Sequence, residues 1–121
     1  MTASVQIPGD PVPKARPRVA GRRAYTPART QAAEDRIRYA WNLAAERWQP
    51  MAGATYGCEI EFRCATRRRV DIDNLAKTVL DALNGLAWID DAQVAELRAT
   101  KRHDRTNPGT SVTVWREGGG A

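Results

Sequence analysis

The chain has 121 residues, of which 42% are hydrophobic and 27% are charged, so it is long enough for one domain with a core of its own. Its formal net charge is +5, which favours an anionic partner. No run approaches the roughly 20 apolar residues that a bilayer span needs. The N-terminus lacks the basic start and apolar centre of a signal peptide, so we expect a soluble, cytoplasmic protein without a membrane partner.

The N-terminal third is predicted to contain a strand, a basic loop and a helix. Residues 4–7 fit a short strand, and the proline- and arginine-rich residues 10–27 predict an extended loop, because proline forbids regular helix there. Residues 28–48 carry apolar side chains at spacings of three and four. This pattern predicts a helix with Glu34 on its polar face.

The remaining elements are predicted to be strands on either side of a second helix. Residues 56–64 alternate strictly between apolar and polar, which predicts a strand with one covered face. Residues 74–84 predict a helix with Asp73 as its N-cap. Residues 94–101 and 111–116 predict two further strands.

These elements together predict an α+β fold: a mixed β-sheet with two main helices packed on one face. We expect one small domain over residues 1–121, with a flexible tail at 117–121. Cys58 and Cys64 are six residues apart in one predicted strand, roughly 20 Å at the usual rise, so they are expected to be free thiols rather than a disulfide.

Basic residues cluster in the predicted loop and again just before the second helix. Such clusters fit contacts to nucleic-acid phosphates, although each cluster alone is equally compatible with a solvated surface. The residues that we expect to bind DNA are Lys14, Arg16, Arg18, Arg67, Arg68 and Arg69.

Five of the 14 carboxylates fall within residues 71–91, where Lys77 is the only cation. In extended backbone Asp71 and Asp73 point to the same side, and Asp91 can return a third carboxylate. Mg²⁺ prefers such oxygen ligands. Each residue alone also has an ordinary structural explanation: Asp73 could cap a helix, Lys77 could form an i,i+4 ion pair, and Asp91 could lie in a turn.

The motifs around this acidic stretch are specific. They read Asp71-x-Asp73-Asn74-Leu75-x-Lys77, then Asp81-Ala82-Leu83-Asn84-Gly85, then Asp90-Asp91-x-Gln93-Val94. This signature resembles that of the RusA family of Holliday-junction resolvases. The basic segment at 13–18 and the Ala24-Tyr25-Thr26-Pro27 step are also similar to family members, particularly those of phages and prophages.

The resemblance implies a homodimeric, Mg²⁺-dependent endonuclease that resolves four-way DNA junctions by paired symmetric nicks, in recombination and repair. It implies that Asp71, Asp73 and Asp91 are the catalytic metal ligands and that Lys77 is a catalytic cation. Two alternatives stay open: a junction-binding protein without catalysis, and a metal-dependent nucleotide phosphohydrolase.

Overall fold

A computed structural model describes residues 1–15, 18–21, 23–25 and 27–117, with backbone alone at 18–20 and 23–25. The strands are β1 (Thr2–Pro8), β2 (Arg18–Ala20), β3 (Arg23–Tyr25), β4 (Thr55–Cys64), β5 (Val94–His103) and β6 (Gly109–Glu117). The helices are α1 (Ala28–Ala44) and α2 (Ile72–Leu83), and a single 3₁₀ turn spans Asp91–Gln93. The predicted tail falls mostly at residues 118–121, outside the described chain.

The main sheet has four strands in the order β1-β6-β4-β5. β6 pairs antiparallel with both β1 and β4, whereas β5 pairs parallel with β4. Parallel neighbours need a crossover connection, and α2 supplies it between β4 and β5. The carboxyl ends of β4 and β5 therefore lie at the same edge of the sheet, where the chain enters α2.

Both helices cover one face of this sheet, which confirms the predicted α+β architecture. The core combines side chains from β4, such as Ile60 and Phe62, with Trp41 of α1 and Leu75 and Val79 of α2. On β4 the alternate residues Glu59 and Glu61 leave this core and face the opposite side. The strict alternation of β4 thus separates a packed face from a polar one.

Three details of the predicted elements are wrong. Residues 10–27 are not all loop, because β2 and β3 pair as a short antiparallel ribbon. α1 ends at Ala44, although Trp48 beyond it remains buried and donates from Nε1 to the carbonyl of Ala87 at 2.7 Å. Glu34 is not on a polar face but only 4% exposed, because ion pairs with basic side chains hold it there.

The second helix begins two residues earlier than predicted. Asp71, rather than Asp73, occupies the N-cap position, and its side chain makes no capping hydrogen bond. It ends at Leu83, one residue before the predicted end, and Gly85 beyond it adopts a φ of 85°, the left-handed conformation that glycine favours after a helix. The early start matters for the site, because it places Asp73 within the first helical turn instead of in extended backbone.

The cysteines are free, as predicted: Cys58 is buried and Cys64 is half-buried. Burial raises the pKa of the Cys58 thiol to about 12. Within the described ranges, neither helix is both long and apolar enough to cross a bilayer.

Candidate metal and nucleic-acid site

The first part of the candidate site is a cleft at the start of α2. Asp71 and Asp73 line it from the helix, and Thr100 and Lys101 line it from β5. The Lys101 ammonium donates to the carbonyl oxygen of Val70 at 2.6 Å, which fixes the backbone immediately before Asp71. The cleft is about 770 Å³ and open to solvent.

A row of charged side chains continues along α2. Asp73, Lys77 and Asp81 follow one another at i,i+4 spacing and therefore share one face of the helix. Lys77 Nζ lies 3.6 Å from Asp81 Oδ1, so the i,i+4 ion pair that was the alternative explanation for Lys77 is formed. The Lys77 side chain is nevertheless 59% exposed and can reach an anion in solvent.

The loop after α2 presents Asp91 and uses its neighbours as local supports. Asp90 caps the short 3₁₀ turn by accepting from the backbone N–H of Ala92, and Gln93 completes a capping box. The Gln93 amide also donates to the carbonyls of Met51 and Ala54, at 2.8 and 2.9 Å. Asp90 thus has a structural role, and Asp91 remains exposed on a fixed turn.

The pKa of Asp91 reflects its partial burial and the charged groups near it. Partial desolvation, followed by a hydrogen bond with Asp90 and the negative charges of Asp90 and Asp81, raises the pKa of Asp91 above its ordinary value. Lys77 acts in the opposite direction. Asp91 therefore lies within electrostatic reach of the charged row on α2, and a further positive charge there would stabilise its carboxylate.

The three predicted metal ligands do not form one cluster. In the chain outside the gaps at 16–17, 22, 26 and 118–121, no three Asp, Glu, His or Cys side chains stand close enough to hold a metal ion. Asp71 and Asp73 line the cleft and Asp91 does not, although the charges of Asp81 and Lys77 act on Asp91. Asp71 and Asp73 do not lie on one side of an extended segment, because Asp73 is helical and Ile72 between them is 36% exposed.

The arginine run before α2 divides by its partners. Arg67, Arg68 and Arg69 are all exposed, but Arg68 Nη2 pairs with Asp10 Oδ2 at 3.3 Å. Among the described residues, Arg67 and Arg69 form no ion pair. Arg16 lies outside the described residues, and so does the side chain of Arg18.

Lys14, one of the predicted DNA contacts, already contacts two carboxylates of the protein. Its ammonium lies 2.7 Å from Glu34 Oε2 and 3.1 Å from Asp81 Oδ2, and its side chain is only 16% exposed. Its charge is therefore already matched within the protein, which does not favour a phosphate contact.

Sequence reasoning missed two residues that support the site. Lys101 reaches the cleft because β5 is parallel to β4, a pairing that no local pattern reveals. Asp10 holds both the backbone N–H of Ala65, at 2.9 Å, and the guanidinium of Arg68. Their contacts at the site are not evident from the spacing of charged residues, because both act across long stretches of chain.

Comparison with known proteins agrees with these motifs. The family described as "Endodeoxyribonuclease RusA" matches residues 8–115. Proteins named "Crossover junction endodeoxyribonuclease RusA" from Escherichia coli (strain K12) and Shigella sonnei (strain Ss046) are each 49% identical over 43 residues. The protein of that name from Enterobacteria phage 82 matches to the same extent. The matched stretch covers 35% of this chain and 36% of the length of these relatives.

Proposed function

The chain belongs to the RusA family of endodeoxyribonucleases, and on that premise we propose that it is a structure-selective DNA endonuclease. Its substrate is a four-way junction, which it resolves by paired symmetric nicks in the cytoplasm during recombination and repair. The observation that carries this proposal is the charged row of Asp73, Lys77 and Asp81 along α2, in a chain with net charge +5. A basic protein that exposes carboxylates beside free arginines suits a metal-dependent attack on a polyanion.

We propose that Asp71, Asp73 and Asp91 hold Mg²⁺. The donor chemistry fits, because all three are exposed carboxylates and none forms an ion pair within the described ranges. Binding one cation would require these side chains to turn toward it, and its charge would offset the repulsion among carboxylates brought together in this way. When bound, such a cation supplies charge neutralisation at the phosphoryl oxygens and activates the attacking water.

The protein's own residues bind and orient the phosphate. The N-terminus of α2 points at the cleft, and a helix N-terminus favours an anion. Lys77, exposed one turn into the helix, holds a non-bridging phosphate oxygen and stabilises the charge that develops as the bond breaks. Lys101 fixes the backbone that carries Asp71.

The DNA backbone is bound next to the site by the arginine run. Arg67 and Arg69 have no competing carboxylate among the described residues and supply the main phosphate contacts. Arg68 contributes less, because Asp10 already pairs with it. Arg16 and Arg18 remain predicted contacts on the preceding segment.

We further propose that the active form is a homodimer. Symmetric nicks on two strands of a junction require two active sites related by a two-fold axis, and a two-fold dimer supplies them. One active site per chain is consistent with this arrangement, because residues 71–91 contain a single acidic row.

The decisive experiment compares three substrates: an end-labelled four-way junction, the matching linear duplex and free nucleoside triphosphates. Each is incubated with the protein, with and without Mg²⁺. We expect paired nicks in the junction alone, and only with the metal. Hydrolysis of free nucleotides would instead favour a phosphohydrolase, and junction binding without cleavage would favour a binding protein.

A further inference from the structure

Lys14 lies between the two helices and next to the candidate site. On α1 it meets Glu34, which is 4% exposed, and on α2 it meets Asp81. A buried carboxylate is costly unless a cation and hydrogen bonds compensate it, and Lys14 is the closer of the two cations on Glu34. The other, Arg38, lies 3.6 Å from Glu34 Oε1.

The backbone around Lys14 is also anchored to α2. Its N–H donates to the carbonyl of Asn74 at 2.9 Å, and the hydroxyl of Thr78 donates to the carbonyl of Val12 at 2.9 Å. The next residue, Ala15, donates its N–H to the hydroxyl of Thr30 on α1. Lys14 is thus held by hydrogen bonds at both its backbone and its ammonium, which restrains both ends of its side chain.

Two lysines share the carboxylate of Asp81. Lys14 lies 3.1 Å from Oδ2, whereas Lys77 lies 3.6 Å from Oδ1. Lys14 is also the less exposed of the two, with 16% of its side chain accessible against 59% for Lys77. Lys77 is therefore restrained by the weaker half of the pair and stays open to a second anion.

Removal of the Lys14 charge would change this balance. Asp81 would then present an uncompensated carboxylate to Lys77 and draw it into a tight pair along the helix. The same negative charge would also face Asp91. Desolvation lowers the pKa of Lys14, but the hydrogen bonds and negative charges of Glu34 and Asp81 together raise it above the ordinary value, so its ammonium stays charged.

We propose that Lys14 is a positioning residue: by holding Asp81 against α1, it keeps Lys77 directed toward the scissile phosphate. The inference rests on the proposed function, since it assigns Lys77 its phosphate. It also replaces the expected DNA contact of Lys14 with a role inside the protein.

The kinetic test uses Lys14→Met, with Arg38→Met as its matched control. Each variant removes one cation from Glu34, but of these two cations only Lys14 also contacts Asp81. In single-turnover cleavage of a saturating four-way junction, we expect Lys14→Met to be slower by about tenfold or more. Junction affinity and its salt dependence should be unchanged, Arg38→Met should keep the wild-type rate, and Lys14→Arg should recover part of the loss.

A second readout does not depend on cleavage. The lysines of this chain are Lys14, Lys77 and Lys101, so a spectrum of ¹⁵N-labelled lysine ammonium groups is simple to assign by single substitutions. Lys14→Met should move the Lys77 signal and leave that of Lys101 in place. Should Lys14→Met fail to fold, Lys14→Met combined with Glu34→Gln also removes the buried charge that Lys14 compensates, and this variant should still move the Lys77 signal and slow cleavage.

The outcomes separate this inference from the proposed function. A wild-type protein that leaves the junction intact refutes the proposed function, while the lysine spectrum still decides whether Lys14 governs Lys77. An unmoved Lys77 signal overturns the inference. It is also overturned if Lys14→Met cleaves normally at saturation but loses about one unit of salt slope, because that pattern identifies a phosphate contact.

Discussion

Asp71 is the residue whose neutralisation tests the proposed metal site most directly. It caps α2 without a capping hydrogen bond and lines the cleft, so its carboxylate has no structural duty in the described chain. We expect Asp71→Asn to abolish cleavage while junction binding stays intact or tightens, because a metal ligand and a negative charge near phosphate are both lost.

Cleavage and gel-shift assays on one junction measure both effects. The matched control is Asp35→Asn, which neutralises an exposed acid on α1 that pairs with Arg38. It should leave the rate unchanged. Loss of binding in a folded Asp71→Asn protein would show that Asp71 maintains the DNA-binding surface instead.

Lys77 distinguishes a catalytic cation from an ordinary surface pair. Its exposed contact with Asp81 is worth little to stability, about a few tenths of a kcal/mol. Lys77→Ala should therefore leave thermal unfolding nearly unchanged but slow single-turnover cleavage by about a hundredfold, with junction affinity much less affected. Arg47→Ala, at an exposed site beyond α1, is the control. An unchanged rate would leave Lys77 with no role beyond its ion pair.

At the scale of elements, the segment between β4 and α2 is the predicted DNA-binding element. Neutralising Arg67 and Arg69 together should weaken binding to junctions of any sequence and reduce the salt slope by about one for each lost contact. Arg68→Ala should have a smaller effect, because Asp10 already neutralises that guanidinium. Affinity across a salt series measures this.

The control for the arginine run is Arg98→Ala, whose guanidinium pairs with Glu96 on β5. Its slope should match that of the wild type. Equal slopes for wild type and the Arg67/Arg69 double variant would mean that the run only keeps the protein soluble, and DNA would have to bind elsewhere.

The packing of β4 against β6 provides an independent test of the fold. A Cβ placed on Gly57 would come within 2.2 Å of Trp115 Cε2 on the neighbouring strand. Gly57→Ala should therefore lower the free energy of unfolding by about 1–3 kcal/mol, measured by urea denaturation, because the indole must move. The Gly57→Ala/Trp115→Ala double variant should lose less free energy of unfolding than the sum of the losses in the two single variants.

Local sequence patterns predicted the helices and strands well wherever the structure of an element depends on its own residues. The buried stripe of α2 and its stop at Gly85 follow from spacing and from glycine's left-handed φ. The burial of Glu34 does not, because its partner Lys14 comes from a distant loop. Nor does the cleft position of Lys101, which depends on the parallel pairing of β4 and β5.

At the scale of the whole molecule, the sequence suggested which carboxylates to assign to the proposed site, but it did not predict their arrangement. The motifs predict that Asp71, Asp73 and Asp91 act together, whereas in the fold Asp71 and Asp73 line the cleft and Asp91 does not. A motif records which residues act jointly and is silent on how far they lie apart without DNA and metal. The proposed assembly of the three ligands is therefore a step that binding itself must complete.

The proposed homodimer predicts how the two nicks are coupled. On a supercoiled plasmid with an extruded cruciform, a dimer with two active sites nicks both strands before it dissociates, so the expected product is linear DNA. Mixed with excess Asp71→Asn protein and allowed to exchange subunits, the wild type should form heterodimers with one working site, which yield nicked circles.

Sedimentation measures the oligomeric state, and gel electrophoresis measures the ratio of nicked to linear plasmid. Excess Asp35→Asn, which should remain active, is the control for simple dilution. A monomer by sedimentation whose linear product persists despite excess Asp71→Asn would contradict the dimer, because each nick would then arise from an independent encounter.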